Sequence, residues 1–182
     1  MGQLAERLER IHVEVASPDG SIHAAVHGRL HMSLEFRQRS YGSYDDPALG
    51  HQLGRLATLA WVRYHREYTE IETAYLGGYE PDRDPSDRRF EQDADELIVT
   101  GTSPDGWVSI TSRALASWTV TVRSGAQRQL SQQHFIGEAL AAAAATVSAY
   151  RSSRARLLDQ YYDLSAGLPG WRRADSRSLE RR

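Results

Sequence analysis

The sequence predicts an α+β fold in which a three-stranded antiparallel meander followed by a long helix occurs twice in tandem. Three observations carry this expectation. The tetrapeptide Ser-Pro-Asp-Gly stands at residues 17–20 and again at 103–106, an offset of 86. Each copy is flanked by runs in which apolar and polar residues alternate, the period of a strand with one buried face. After each set of runs the period changes to the three-and-four spacing of a helix. A three-stranded sheet with one helix buries little apolar surface and is marginal alone. The two units are therefore expected to pair as a pseudo-dimer, through sheets or helices.

The elements follow in order. "MGQLAERLER" is amphipathic and contains acids, so it reads as a short helix and not as a signal peptide. Ile11, Val13 and Val15 form a first strand, and Ile22, Ala24 and Val26 a second. Leu30, Met32, Leu34 and Phe36 form the third. In the Ser17-Pro18-Asp19-Gly20 corner, Pro in second and Gly in fourth place suit a type I turn. Asp46-Pro47 opens the first long helix, with Asp as cap and Pro at the first helical position. Its apolar positions run from Leu49 through Leu53, Leu56, Ala60, Tyr64, Tyr68 and Ile71 to Tyr75, and Gly77-Gly78 ends it.

Residues 79–96 read as an acidic, Pro-containing linker whose back half can form a short helix. The second meander uses Leu97 and Val99, then Val108 and Ile110, then Ala116, Trp118, Val120 and Val122. Ser131 caps the second long helix. From Ile136 to Leu164 its seam steps alternately by four and three, and Gly167-Leu168-Pro169-Gly170 ends it. A helix of about 30 residues is roughly 45 Å long, more than the meander beside it can cover. The remainder is expected to lie against another helix in a coiled-coil-like seam. The expected boundaries are 1–78 for the first unit, 79–96 for the linker, 97–170 for the second unit and 171–182 for a basic, disordered tail.

Composition narrows the function. The 182 residues are 40% hydrophobic and 25% charged, as in a globular protein, and contain no Cys. Disulfides and thiolate chemistry are thereby excluded. No apolar run approaches the ~20 residues of a membrane span, so a cytoplasmic location is expected. There is no phosphate loop and no HExxH, and paired carboxylates fall in turns or the linker. Neither an enzyme nor a cofactor is expected. The net charge of −2 hides an asymmetry: −3 over residues 1–80, −5 over 81–105 and +6 over 106–182. All 22 basic residues are Arg, a planar, bidentate donor to phosphate.

The stretches "LIVTGTSPDGWVSITSRALASWTVTVRS", "FIGEALAAAAATVSAYRSSRARLL" and "AGLPG" together resemble the YbaB/EbfC family of small bacterial nucleoid-associated proteins. Residues 84–170 match its pattern over their whole length. Residues 1–78 match more loosely, through "VEVASPDGSIHAAVHGRLHMSLEF" and the helix after it. The resemblance implies the α+β fold, dimers shaped like tweezers and DNA binding with little sequence preference. This chain is similar to a tandem, actinobacterial-type member. It departs in its short leading helix and in Arg37-Gln38 and Arg123-Ser124, which stand where the family has Asp-Pro. YbaB-like domains also occur in type VII secretion-associated proteins, which gives an alternative role as a protein-interaction module.

The candidate residues follow from charge. Arg151, Arg154 and Arg156 lie in the middle of the second long helix, and Arg172 and Arg173 open the tail. They are the expected DNA-binding residues, contacting phosphates with affinity that falls as salt rises. The competing expectation pairs Arg154 with Glu67 or Glu70 of the first helix. His23, His27 and His31 share the polar face of one hairpin, a pattern that can hold a metal. At the offset of 86 the second unit has Ser109, Arg113 and Ser117 there, so solvated histidines are the expectation. Trp107 is expected to be buried under a helix, and Trp61 and Trp118 in the core. Self-association, or the intramolecular pseudo-dimer, completes the expected partners.

Overall fold

A computed structural model describes residues 3–37, 40–75 and 84–162. The chain runs through helix α1 (Gln3–Leu8), strands β1 (His12–Ala16), β2 (Ile22–His27) and β3 (His31–Phe36), and helix α2 (Asp46–Tyr75). It continues through helix α3 (Pro85–Glu96), strands β4 (Ile98–Thr102), β5 (Val108–Arg113) and β6 (Ser117–Val122), and helices α4 (Ala126–Gln129) and α5 (Gln132–Tyr162). The strands form two three-stranded antiparallel sheets, ordered β1-β2-β3 and β4-β5-β6. The α+β class and the two meanders are as the alternation predicts.

Both Ser-Pro-Asp-Gly corners are hairpin turns. Gly20 N–H donates to Ser17 O at 2.8 Å, and Gly106 N–H to Ser103 O at 3.0 Å. Each turn ends on a glycine at positive φ, +71° and +70°, a conformation that a side chain would strain.

Helix starts are satisfied by side chains, with one exchange of roles. Asp45 Oδ1, not Asp46, accepts from Ala48 N–H at 2.8 Å and serves the first turn of α2. Asp46 reaches into the other half, where it accepts from Gly125 N–H at 2.6 Å and Gln127 N–H at 2.8 Å, at the start of α4. Ser131 caps α5 as expected, through His134 N–H at 3.2 Å. The glycines expected to end the two long helices lie outside the described residues.

The halves share one core. Helix α2 packs most extensively on β6 of the second sheet, and also on β1 and β2 of its own. Helix α5 lies on β4 and β5 and touches β3. Small residues make the close approach. Gly50 and Gly54, one turn apart on α2, face the carbonyls of Val120 and Trp118. Gly101 of β4 faces Ala142 and Thr146 of α5. Phe36 and Tyr41 from the first half and Phe135 from the second meet edge-on or tilted, with centroids 5.2–6.1 Å apart.

The expected seam between long helices is made differently. Each long helix is joined by the short helix ahead of its own meander, α1 on α2 and α3 on α5. Residues 85–96, read as part of a linker, are thus a packed element. Asp84 caps α3 through Ser86 N–H, and Phe90 and Ala94 are buried. Phe90 meets Tyr161 and Tyr162 of α5, centroids 5.9 Å away in both cases.

The α3–α5 contact is pH-sensitive. Tyr162 O–H donates to the carboxylate of Asp87. That bond, burial and the surrounding acids push the phenol from its ordinary 10.0 up to about 12. The folded state holds this proton more tightly than the unfolded chain. The contribution is therefore complete below the ordinary value and lost as pH rises through the raised one. Several tyrosines are raised in this protein, so tyrosinate absorbance should show a late, multi-residue phase, and Tyr162→Phe should remove its most alkaline part.

Candidate nucleic-acid interface

The C-terminal half of α2 and the middle of α5 border a cleft of about 450 Å³. Helix α2 supplies Trp61, Tyr64, His65 and Tyr68, at the three-and-four spacing that puts them on one side. Helix α5 supplies Tyr150, Arg151, Arg154, Ala155 and Leu158 by the same geometry. The floor is closed by Leu30 from the β2–β3 turn and Leu115 from the β5–β6 turn. Both leucines sit at positive φ, +70° and +58°, a backbone state that costs a branched side chain energy. Leu115 is 1% exposed, and its carbonyl accepts from Trp118 Nε1–H at 2.5 Å.

The two arginines are held without being neutralised. Arg151 Nη2–H donates to Arg29 O at 3.2 Å, beside the Tyr64 O–H bond to Gly28 O at 3.0 Å. The guanidinium of Arg154 lies 5.3 Å from the Phe90 ring centroid, a cation–π contact. Glu70, expected as a partner for Arg154, instead takes Arg66 at 2.9 Å, one helical turn away. The arginine field is felt by the aromatic wall. Burial raises the Tyr64 phenol above its usual value, and Arg151 draws it part of the way back. Burial likewise raises Tyr150, with Arg154 acting against it.

Of the expected DNA-binding set, Arg151 and Arg154 come together in this cleft. Arg156 does not line it; it is exposed and donates to Ser153 Oγ at 3.0 Å. The reason is helical: at 3.6 residues per turn, position 156 lies roughly 160° around the axis from 154. Arg172 and Arg173 lie outside the described residues. Trp61 and Trp118 are half-buried and pack against the core, with Trp61 also forming part of the cleft wall. Trp107 is half-buried, with Arg123 4.9 Å from its ring centroid.

On the first sheet His27 and His31 are exposed, as expected of solvated histidines, and His23 is half-buried. Register places His12, His27 and His31 in one row across three strands. The pair in contact is His12 with His27, ring nitrogens 2.6 Å apart, and His12 also bonds Glu14 at 2.9 Å. His23 turns toward Gly20 O, 3.3 Å away.

The sequence pointed to the arginines through charge. It did not mark Leu30, Leu115 or the tyrosines as cleft residues. Tyr64 and Tyr68 read as core positions, and the leucines carry no turn signal. Compared with protein-family models, with curated proteins and with solved structures, the chain matches none of them. Among the described residues no helix is long and apolar enough to cross a membrane.

Proposed function

We propose that the protein is a non-catalytic DNA-binding protein, nucleoid-associated or accessory to regulation, which holds phosphates with Arg151 and Arg154. The observation that carries this reading is the cleft itself: two arginines without carboxylate partners among the described residues, set against four aromatic side chains. Guanidinium groups match phosphate oxygens bidentately, and aromatic walls suit sugars and bases without selecting sequence. In this reading Arg172 and Arg173 add to the same electrostatic contact.

The element order, a short helix, three strands and a long helix in each half, agrees with what the YbaB/EbfC resemblance implies. So does the exchange of contacts, with α2 on the second sheet and α5 touching the first, which supports a tandem pseudo-dimer. Binding is expected to be weak and salt-sensitive, because the acidic helix α3 lies along α5. Titration of the whole chain into labelled generic duplexes of unrelated sequence tests the reading. Similar affinity for all of them, lost at moderate salt, is the expected result, and no binding at low salt would overturn it.

One observation favours the second reading, a protein-interaction module, possible within type VII secretion. Leu59 and Val62, neighbours on the outer side of α2, are 38% and 55% exposed. An apolar pair so placed suits a protein partner or a second copy.

A further inference from the structure

The second Ser-Pro-Asp-Gly corner meets the start of α5 in a way the first corner has no counterpart for. Asp105, the third residue of the turn, has its Oδ2 3.5 Å from His134 Nε2. Glu138, one turn further along α5, joins them, and the three ligand atoms lie within 4.8 Å of one another. Glu138 is 5% exposed. Its Oε2 accepts from Ser103 Oγ at 2.5 Å, a neutral donor.

Two carboxylates and one imidazole then lie together, Asp105 and His134 exposed and Glu138 buried. Even with the imidazole protonated, the cluster keeps a net negative charge, and one carboxylate is out of water. A buried charge is costly unless a counter-charge meets it. A divalent cation balances both carboxylates at once and leaves the imidazole neutral, as a ligand must be.

One pair already has the spacing of metal ligands, and the third ligand atom lies within 4.8 Å of both. Ligands about 2.0–2.2 Å from a tetrahedral zinc ion stand roughly 3.4 Å from one another, close to the separation between Asp105 and His134. His134 and Glu138 are four apart on a helix and so share a side. Ser131 fixes the first turn of that helix, and Ser103 holds the Glu138 carboxylate in place.

The first corner serves as an internal control. There Asp19 is satisfied within its own unit, accepting from Ser17 Oγ at 2.6 Å, Ser21 N–H at 3.0 Å and Tyr44 O–H at 2.5 Å. At the offset of 86 the tyrosine is replaced by Leu130, and the positions matching His134 and Glu138 are Ala48 and Gln52. The serine hydroxyl that serves Asp19 in the first corner is turned to Glu138 in the second. The second corner has lost its tyrosine and gained two metal-ligand types.

We propose that Asp105, His134 and Glu138 form a site for a divalent transition-metal ion of the zinc class, which clamps the β4–β5 hairpin to α5. Three protein ligands leave the fourth position for water or for a donor from a partner. The oxygen–nitrogen–oxygen set suits Zn²⁺, and also Co²⁺ as its spectroscopic substitute.

The test uses the untagged whole chain, treated with chelator and then titrated with Zn²⁺ or Co²⁺. Zinc is expected to raise Tm, and cobalt to give the visible bands of a low-coordinate site. Asp105→Asn and His134→Ala, both at exposed positions, should abolish the zinc shift and the cobalt bands while leaving the metal-free Tm nearly unchanged. The His12→Ala/His27→Ala double variant removes the other zinc-attracting cluster and should leave both signals intact. No shift with either metal would overturn the proposal. So would a signal that survives His134→Ala, or one that disappears in the His12/His27 variant.

Discussion

Replacing Gly101 by alanine should cost about 3 kcal/mol of stability, the upper end of what overpacking a tight contact does. A Cβ at this position meets the backbone N of Thr146, with Thr146 Oγ1 at 2.5 Å and Ala142 O at 2.7 Å. Two of these are backbone atoms of α5, so no rotamer change relieves the clash and the helix must retreat from β4. Thr146 is fully buried there and donates its hydroxyl to Ala142 O at 2.9 Å, so a retreat also disturbs a satisfied polar group. For a chain of this size the loss lowers Tm by roughly 6–12 °C. Gly137, on the exposed side of the same helix, is the control. Nothing lies within 4 Å of a Cβ there, and alanine should stabilise by about 0.5–1 kcal/mol through helix propensity. Thermal melts of the two variants should therefore move in opposite directions. Equal small losses would mean that α5 does not sit on β4 as described.

The largest functional effect is expected from Arg151→Ala/Arg154→Ala. Affinity for a generic duplex at low salt should fall roughly 10- to 100-fold, about 1.4–2.8 kcal/mol for the loss of two solvent-screened arginine–phosphate contacts. Both side chains are exposed, and the one hydrogen bond lost within the protein goes to Arg29 O. The fold should therefore persist, with a Tm penalty of about 1 kcal/mol or less in free-energy terms. Arg156→Ala, on the other side of α5, should leave affinity almost unchanged. If Arg156→Ala weakens binding as much as the double variant, contact is diffuse and the cleft is not the site.

Most of the local structure was legible because it is decided locally. Alternation placed all six strands, Pro and Gly placed the two corners, and Ser131 placed the start of α5. The long-range choices were not legible. Asp45 and Asp46 are equally good caps by residue type, and only the position of α4 sends Asp46 across the molecule. Gly50 and Gly54 carried a signal, two small residues one turn apart on a helix. That spacing announces a close neighbour without saying which. Residues 85–96 read as linker with a short helix in its back half, and their packing was not legible, because Phe90 and Ala94 are the sole apolar face and their burial depends on Tyr161 and Tyr162 beyond a whole meander. The arginine cluster stood out by charge, but sequence proximity grouped Arg156 with residues that helical rotation separates from it. Tyr64 and Tyr68 lie on the apolar stripe of α2, and nothing in a stripe distinguishes core from cleft wall. Leu30 and Leu115 occupy strained turn positions normally given to Gly or Asn, so the residue type conceals the conformation.

The number of phosphates engaged by the cleft is the most direct measure of the proposed function. It is read from the slope of log K against log salt for a generic duplex, for the wild-type chain and for Arg151→Ala/Arg154→Ala. Each phosphate contact contributes about −0.9 to that slope, so the two slopes should differ by about 1.8. Identical slopes, or a wild-type chain that binds no duplex at low salt, would contradict the account.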